Sequence, residues 1–215
     1  MRPELLYCIF MANMKFLIDT DLPLYVRKGV KNFVASLDNE EPGFHKDIVK
    51  IHIVPMKQKE LGFERIFHGK DMMLQYYSFE DIWYCEAPGK YGPVTRTTYT
   101  EDFREVLYEI NVQDYPGHII SIDKVLQLFP MRQLLFAKNI FLLHSSQIII
   151  KGRGILFTGD SGAGKTTQAR LWEQFRNAEM VCNDRTAIRR ENGVWRTYGF
   201  FIDGSEPIYR FGSWR

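Results

Sequence analysis

One stretch, GILFTGDSGAGKTTQARLWEQF at residues 154 to 175, limits what this chain can fold into more than any other. Gly159, Gly164, Lys165 and Thr166 satisfy the pattern G-x-x-x-x-G-K-[ST]. The glycines let successive backbone N–H groups turn inward around phosphate oxygens, the lysine reaches the terminal phosphates, and the next hydroxyl ligates Mg2+. Such a loop works between a buried strand and a helix. Apolar Ile155, Leu156 and Phe157 precede it, and the spacing of Ala169, Leu171, Trp172 and Phe175 predicts a helix with those residues mostly on one face. The pattern therefore assigns nucleotide contacts to Gly159, Asp160, Ser161, Gly162, Ala163, Gly164, Lys165, Thr166 and Thr167, with ATP and Mg2+ as the expected ligands. The competing reading is a structural Gly-rich turn that folds without turning over nucleotide.

The flanks of the loop decide the kind of sheet. In SSQIIIKGRGILFTG two apolar runs are separated only by Lys151-Gly-Arg-Gly154. A parallel crossover needs a dozen or more residues, so these runs predict an antiparallel hairpin. After the helix, EMVCN reads as a strand, and the Glu191-Asn192-Gly193 turn in RTAIRRENGVWRTYGF predicts a second hairpin. The expected class is α/β with a mixed sheet, not a doubly wound parallel one.

From Met14 to about Tyr115 the chain is a series of short segments rich in Ile, Val, Tyr and Phe, which favour strands. Within this region LYVRKGVKNFVASL predicts one helix. Ser121 is placed to cap a short helix and Pro130 to be the first residue of a second. A turn at QDYPGH puts a boundary near Pro116 and Gly117. The expected organisation is a β-rich domain over 1–117 and a P-loop domain over 118–215.

With 215 residues, 45% hydrophobic and 14% aromatic, the chain can bury a core. Its 28 basic residues nearly balance 26 acidic ones for a net charge of +2, which argues against a nucleic-acid partner. Cys8, Cys85 and Cys182 are far apart with no CxxC pair, and read as buried thiols in a reducing cytoplasm. No apolar run approaches the ~20 residues that span a bilayer, so no membrane association is expected. The opening MRPELLYCIFMANMKFLI reads as a strand, or as a stretch ahead of a true start at Met11 or Met14, in preference to a signal peptide.

A kinase also needs a carboxylate to hold Mg2+ and take the acceptor's proton. CNDR puts Asp184 at the end of the strand after the loop helix, where α/β sheets open onto ligands; a turn or capping role is the alternative. His144 lies on an apolar segment, where a structural histidine is the commoner case. His45, His52, His68 and His118 have no ligand spacing. QYYSF and DIWYC read as core and strand-face residues, and Arg189-Arg190 as part of a solvated hairpin.

LHSSQIIIKGRGILFTGDSGAGKTTQA followed by MVCNDR resembles the catalytic domain of HPr kinase/phosphorylase, a bacterial protein-serine kinase. More broadly it is similar to the phosphoenolpyruvate-carboxykinase-like P-loop kinases, most closely an uncharacterised bacterial branch. The resemblance covers about residues 120 to 210. It implies a P-loop core fed by an antiparallel hairpin, catalytic roles for His144, Lys165 and Asp184, and Thr166 with Asp184 on the metal. Arg185 fits the family pattern. Asn183 stands where the family carries the first of two adjacent aspartates, and an amide cannot accept a proton at neutral pH. Relatives continue past the position of Arg215, so the chain reads as truncated at its C-terminus. Three readings follow: an ATP-dependent kinase acting on a protein, peptide or small hydroxyl compound; a nucleotide-binding regulatory or scaffold module without chemistry, or a truncated inactive homologue; and a small-molecule kinase of ordinary parallel P-loop topology, which the hairpins disfavour. The acceptor stays unassigned, and a homo-oligomer stays open.

Overall fold

The structure, a computed structural model, describes residues 5–26, 34–35, 47–71, 73–116, 121–200 and 213–214. Its first half builds β1 (Leu5–Met11), β2 (Met14–Thr20), β3 (Val34–Ala35), β4 (Asp47–Pro55), β5 (Ile66–Asp71), β6 (Leu74–Phe79), β7 (Ile82–Gly89), β8 (Gly92–Tyr99) and β9 (Glu105–Ile110). These form one nine-stranded sheet in the order β3-β1-β2-β4-β9-β8-β7-β6-β5. The pairs β2 with β4 and β4 with β9 are parallel, and the others are antiparallel. The expected opening strand is present as β1, paired with β2 from Leu5 opposite Thr20 to Met11 opposite Met14.

Period-two patterning gives this sheet a buried face. Met14, Phe16 and Ile18 of β2, Val49, Ile51 and Ile53 of β4, and Val106, Tyr108 and Ile110 of β9 are all buried. They pack against α1 (Ile122–Gln127) and α2 (Met131–Ala137), whose Ile122, Val125, Leu126, Leu134 and Leu135 point inward. Ser121 does occupy the cap position of α1, without a side-chain capping bond. Pro130 is the cap of α2, one position earlier than expected. All three cysteines are buried free thiols, and burial pushes that of Cys85 up to about 12.

The second half contributes β10 (Ile140–Ile150), β11 (Arg153–Thr158), α3 (Lys165–Arg176), β12 (Glu179–Cys182), β13 (Arg185–Glu191), β14 (Val194–Gly199) and β15 (Ser213–Trp214). They make a six-stranded sheet, β11-β10-β13-β14-β15 with β12 also on β10. Every pairing in it is antiparallel. Both expected hairpins are present. Asn192 and Gly193 turn the second with φ of 47° and 81°, the left-handed pair that a two-residue I′ turn requires. The architecture is thus mixed α/β with strands predominating. Ile140, Ala187, Tyr198 and Phe200 of the second half belong to the same core as β2, β4 and β9. No described helix is long and apolar enough to cross a membrane.

Three expectations need correction. The helix predicted over LYVRKGVKNFVASL is contradicted at its described ends: Tyr25 bridges Ser121, and Val34 and Ala35 pair with Ile9 and Cys8. The residues between lie outside the described ones. On α3 only Ala169 and Trp172 face the sheet, against Ile148, Ile155, Phe157 and Met180, while Leu171 and Phe175 are exposed. Positions three apart share a helix face, and 171 and 175 form the neighbouring stripe. Finally, Arg189 is buried rather than solvated. It donates to Asp47 at 2.5 Å, so β13 is tied to β4 across the two sheets.

Candidate functional site

β10 is long enough to be shared. Its first half pairs with β13, from Ile140 opposite Arg189 to His144 opposite Arg185. Its second half lies between β11 and β12. Thr158, the last residue of β11, is opposite Ser145 on one side. On the other side the Ser145 backbone N–H donates to the Asp184 carbonyl at 3.0 Å. Adjacent strands are roughly 4.8 Å apart, so the start of the glycine-rich loop after β11 and the backbone of Asp184 are about 10 Å apart at the same end of the sheet.

The loop itself is closed around its lysine. Lys165 Nζ donates to the carbonyls of Gly159 at 3.0 Å and Asp160 at 2.9 Å, and Ala163 N–H donates to Asp160 O at 3.1 Å. Gly162 and Gly164 hold φ of 82° and 83°, where a side chain is strained. Gly164 is the α3 cap and, among the described residues, no side chain caps the helix; the first-turn N–H groups of Lys165, Thr166 and Thr167 have no intrahelical partner. They present the partial positive charge that attracts anions. Asp160, Ser161, Gly162 and Ala163 are exposed and Thr166 is half-buried.

Asp184 sits in the break between β12 and β13. Its Oδ1 is 3.2 Å from His144 Nε2, and its Oδ2 is 3.6 Å from Arg185 Nε. Cross-strand pairing of His144 with Arg185 sets this contact. The histidine side chain is 44% exposed and the aspartate 19%, so the imidazole faces solvent while the carboxylate is largely enclosed. Asn183 is buried, and among the described residues its Nδ2 has no hydrogen-bond partner. Such an orphan costs about 1–3 kcal/mol. The candidates Asp184 and His144 are therefore brought together, within two strands of the loop.

Sequence reasoning passed over the layer beneath. Ser145, Ser146 and Gln147 are fully buried, and Gln147 Nε2 donates to Thr197 Oγ1 at 2.7 Å. Their signal was available: Ser-Ser-Gln is a polar interruption inside the apolar run of β10. It also passed over a hollow of about 390 Å³ between α2 and β10, walled by Leu135, Phe136, Phe141 and Leu142, with Arg132 and Arg185 at its rim. It adjoins the His144–Asp184 pair through Arg185. A larger hollow of about 590 Å³ lies on the outer face of the nine-stranded sheet, where His52 Nδ1 is 2.6 Å from Asp19. None of the residues selected from the sequence lines it.

Thr166 and Asp184 offer hard oxygen ligands, the kind Mg2+ takes from a protein while keeping water and phosphate oxygens for its remaining positions. Among the described residues no group of three or more His, Cys, Asp or Glu side chains forms a metal cluster. A phosphate-bridged ion needs only one or two protein ligands. No protein-family model and no curated protein sequence matches the chain.

Proposed function

We propose that this chain binds ATP with Mg2+ on the loop from Gly159 to Thr167, and by lineage is an HPr-kinase-like, phosphoenolpyruvate-carboxykinase-like P-loop protein that transfers a phosphoryl group to a hydroxyl of an acceptor. The observation carrying this reading is the convergence of the loop, the uncapped first turn of α3 and the His144–Asp184 pair at one end of an antiparallel sheet. The hairpin of β10 and β11 supports this class against ordinary P-loop nucleotidases, in which the strand before the loop lies in a parallel sheet.

Each residue has a role its geometry suits. Lys165 exchanges the Gly159 and Asp160 carbonyls for phosphate oxygens. Thr166 and Asp184 would hold Mg2+, which would supply charge neutralisation on the phosphates. Asp184 Oδ1 faces His144 Nε2, which leaves His144 Nδ1 to take the acceptor's proton. Asn183 cannot take that proton. The hollow beside Arg185 is the entry for the acceptor, a protein, peptide or small hydroxyl compound. A second reading, nucleotide binding without turnover, draws on the same Asn183.

Calorimetric titration with Mg-ATP, paired with a turnover assay, tests both. Saturable binding is expected, with turnover reduced at least about 100-fold in Lys165→Ala, as when a preorganised donor to a developing charge is removed. Binding without turnover selects the second reading. No binding at about 1 mM nucleotide, the upper end of ordinary substrate affinities, would sink both.

A further inference from the structure

Resting on the nucleotide reading above, we propose that Asn183 contacts the terminal phosphoryl group, its side-chain amide donating to a phosphate oxygen, and so makes the site prefer ATP to ADP. Register sets its position. Ile148 is opposite Met180, and both pack with Ala169 of α3. The ladder then shifts so that Gln147 is opposite Cys182. The next residue, Asn183, is the first beyond β12, and one further step along the ladder sets it beside Ser146, whose Oγ lies 3.5 Å from the Asn183 carbonyl. Ser146 and Ile148 share a face of β10, so Asn183 is on the face that α3 covers.

Helix and strand rises place the helix terminus over the same spot. From Ala169 back to Lys165 is four helical residues, about 6 Å. From Ile148 back to Ser146 is two strand residues, about 6.7 Å. The first turn of α3 therefore lies over Ser146 and Asn183, and the loop that feeds it leaves β11 opposite Ser145.

The chemistry of the group then narrows its ligand. Asn183 is 5% exposed, and among the described residues its Nδ2 has no acceptor. Buried donors are nearly always paired. An amide nitrogen is neutral, carries two hydrogens and cannot ligate a cation, so what completes it is an acceptor atom. Beneath an uncapped helix N-terminus the acceptor favoured by the local field is an anionic oxygen. The loop's own N–H groups lie at the end of β11, whereas Asn183 is on the β12 side of β10, next to Asp184. A phosphate chain running from the loop toward Asp184 reaches Asn183 with its last phosphoryl group.

The test is titration calorimetry with Mg-ATP and Mg-ADP on the whole chain, for the wild type, Asn183→Asp and Asn183→Ala, with thermal melts to establish folding. The wild type is expected to prefer ATP. Asn183→Asp, which sets a negative charge against the phosphate, should weaken ATP at least about tenfold and ADP less than about twofold; a tenfold change corresponds to ~1.4 kcal/mol. If Asn183→Asp does not fold, Asn183→Ala carries the test through loss of the ATP preference with ADP binding kept. Folded variants with unchanged ATP affinity overturn the proposal. So does an Asn183→Asp variant that gains turnover at unchanged ATP affinity, since residue 183 is then a proton-acceptor position and not a phosphate contact. A wild type that binds neither nucleotide removes the loop reading itself, a result distinct from failure at Asn183.

Discussion

His144 and Asp184 illustrate how a residue's role depends on its neighbour. An exposed histidine on a strand is ordinary, and so is an aspartate in a strand break; at 3.2 Å, Asp184 Oδ1 against His144 Nε2, the two side chains form one contact pair. Groups that act as a unit lose function non-additively. If the chain turns over ATP, His144→Ala and Asp184→Asn should each lower turnover, and the double variant should fall little below the weaker single. A double-mutant cycle on the turnover rate measures this, and fully additive losses would separate the two roles. Arg185 Nε lies 3.6 Å from the other oxygen of the same carboxylate. It also joins the site to the hollow beside α2.

At the scale of elements, β10 and β13 determine the site more than the loop does. The loop's shape is local: glycines at φ above 80° and a lysine folded back onto two carbonyls. Where Asp184 and Asn183 stand relative to it depends on the ladder register across β11, β10 and β12, including the shift between Gln147 and Ile148. The β10–β11 turn pins the first of these pairings, while the β13–β14 turn and the Arg189–Asp47 bridge hold β13 on the other half of β10. Gly193 is the test of the turn: at φ 81° a side chain is strained, so Gly193→Ala should cost about 1 kcal/mol. Urea unfolding checks this as a lower midpoint at unchanged slope. Asn192→Gly should be nearly neutral in the same measurement, because a glycine accepts the φ of 47° at that position.

At the scale of the molecule, the two halves share a core and are joined by charges. Asn13 donates to Glu191 at 2.8 Å, and Lys138 donates to the Asp102 carbonyl at 2.7 Å. The first half also carries a buried ion cluster. Arg96, 1% exposed, donates to Glu86 at 2.7 Å and to the carbonyl of Gln58 at 2.8 Å, and also bonds the carbonyl of Lys59; Glu109 is 3.7 Å away. Burial holds the Glu109 carboxyl above the usual range although Arg96 pulls it down. Arg96→Met leaves those carboxylates short of a partner and should cost about 3 kcal/mol at neutral pH. A carboxyl whose folded pKa is raised contributes stability present at low pH and lost as pH rises through that pKa. The penalty of Arg96→Met should therefore shrink as pH falls through the carboxylate range; chemical denaturation at about pH 4 and about pH 7 compares the two.

The amino-acid sequence by itself determined whatever depends on neighbours along the chain. The glycine-rich turn between β11 and α3 is legible because its pattern lies in successive residues. Both hairpins are legible because four residues between apolar runs exclude a crossover. The place of Asp184 just past a strand end is legible because that strand follows the helix closely along the chain. Tertiary structure decided the rest. Val34 and Ala35 joined a strand because β1 offered an edge to pair with, which overrides helical spacing. Leu171 and Phe175 were left exposed because the sheet beneath α3 takes only the stripe of Ala169 and Trp172. Arg189 was buried because Asp47, distant in sequence, stands opposite it. The contact of His144 with Asp184 and the burial of the Asn183 amide likewise exist only because β10 brings three strands into one register. Local chemistry is written in adjacent residues, whereas long-range pairing is chosen by the burial and hydrogen bonding of the whole chain at once.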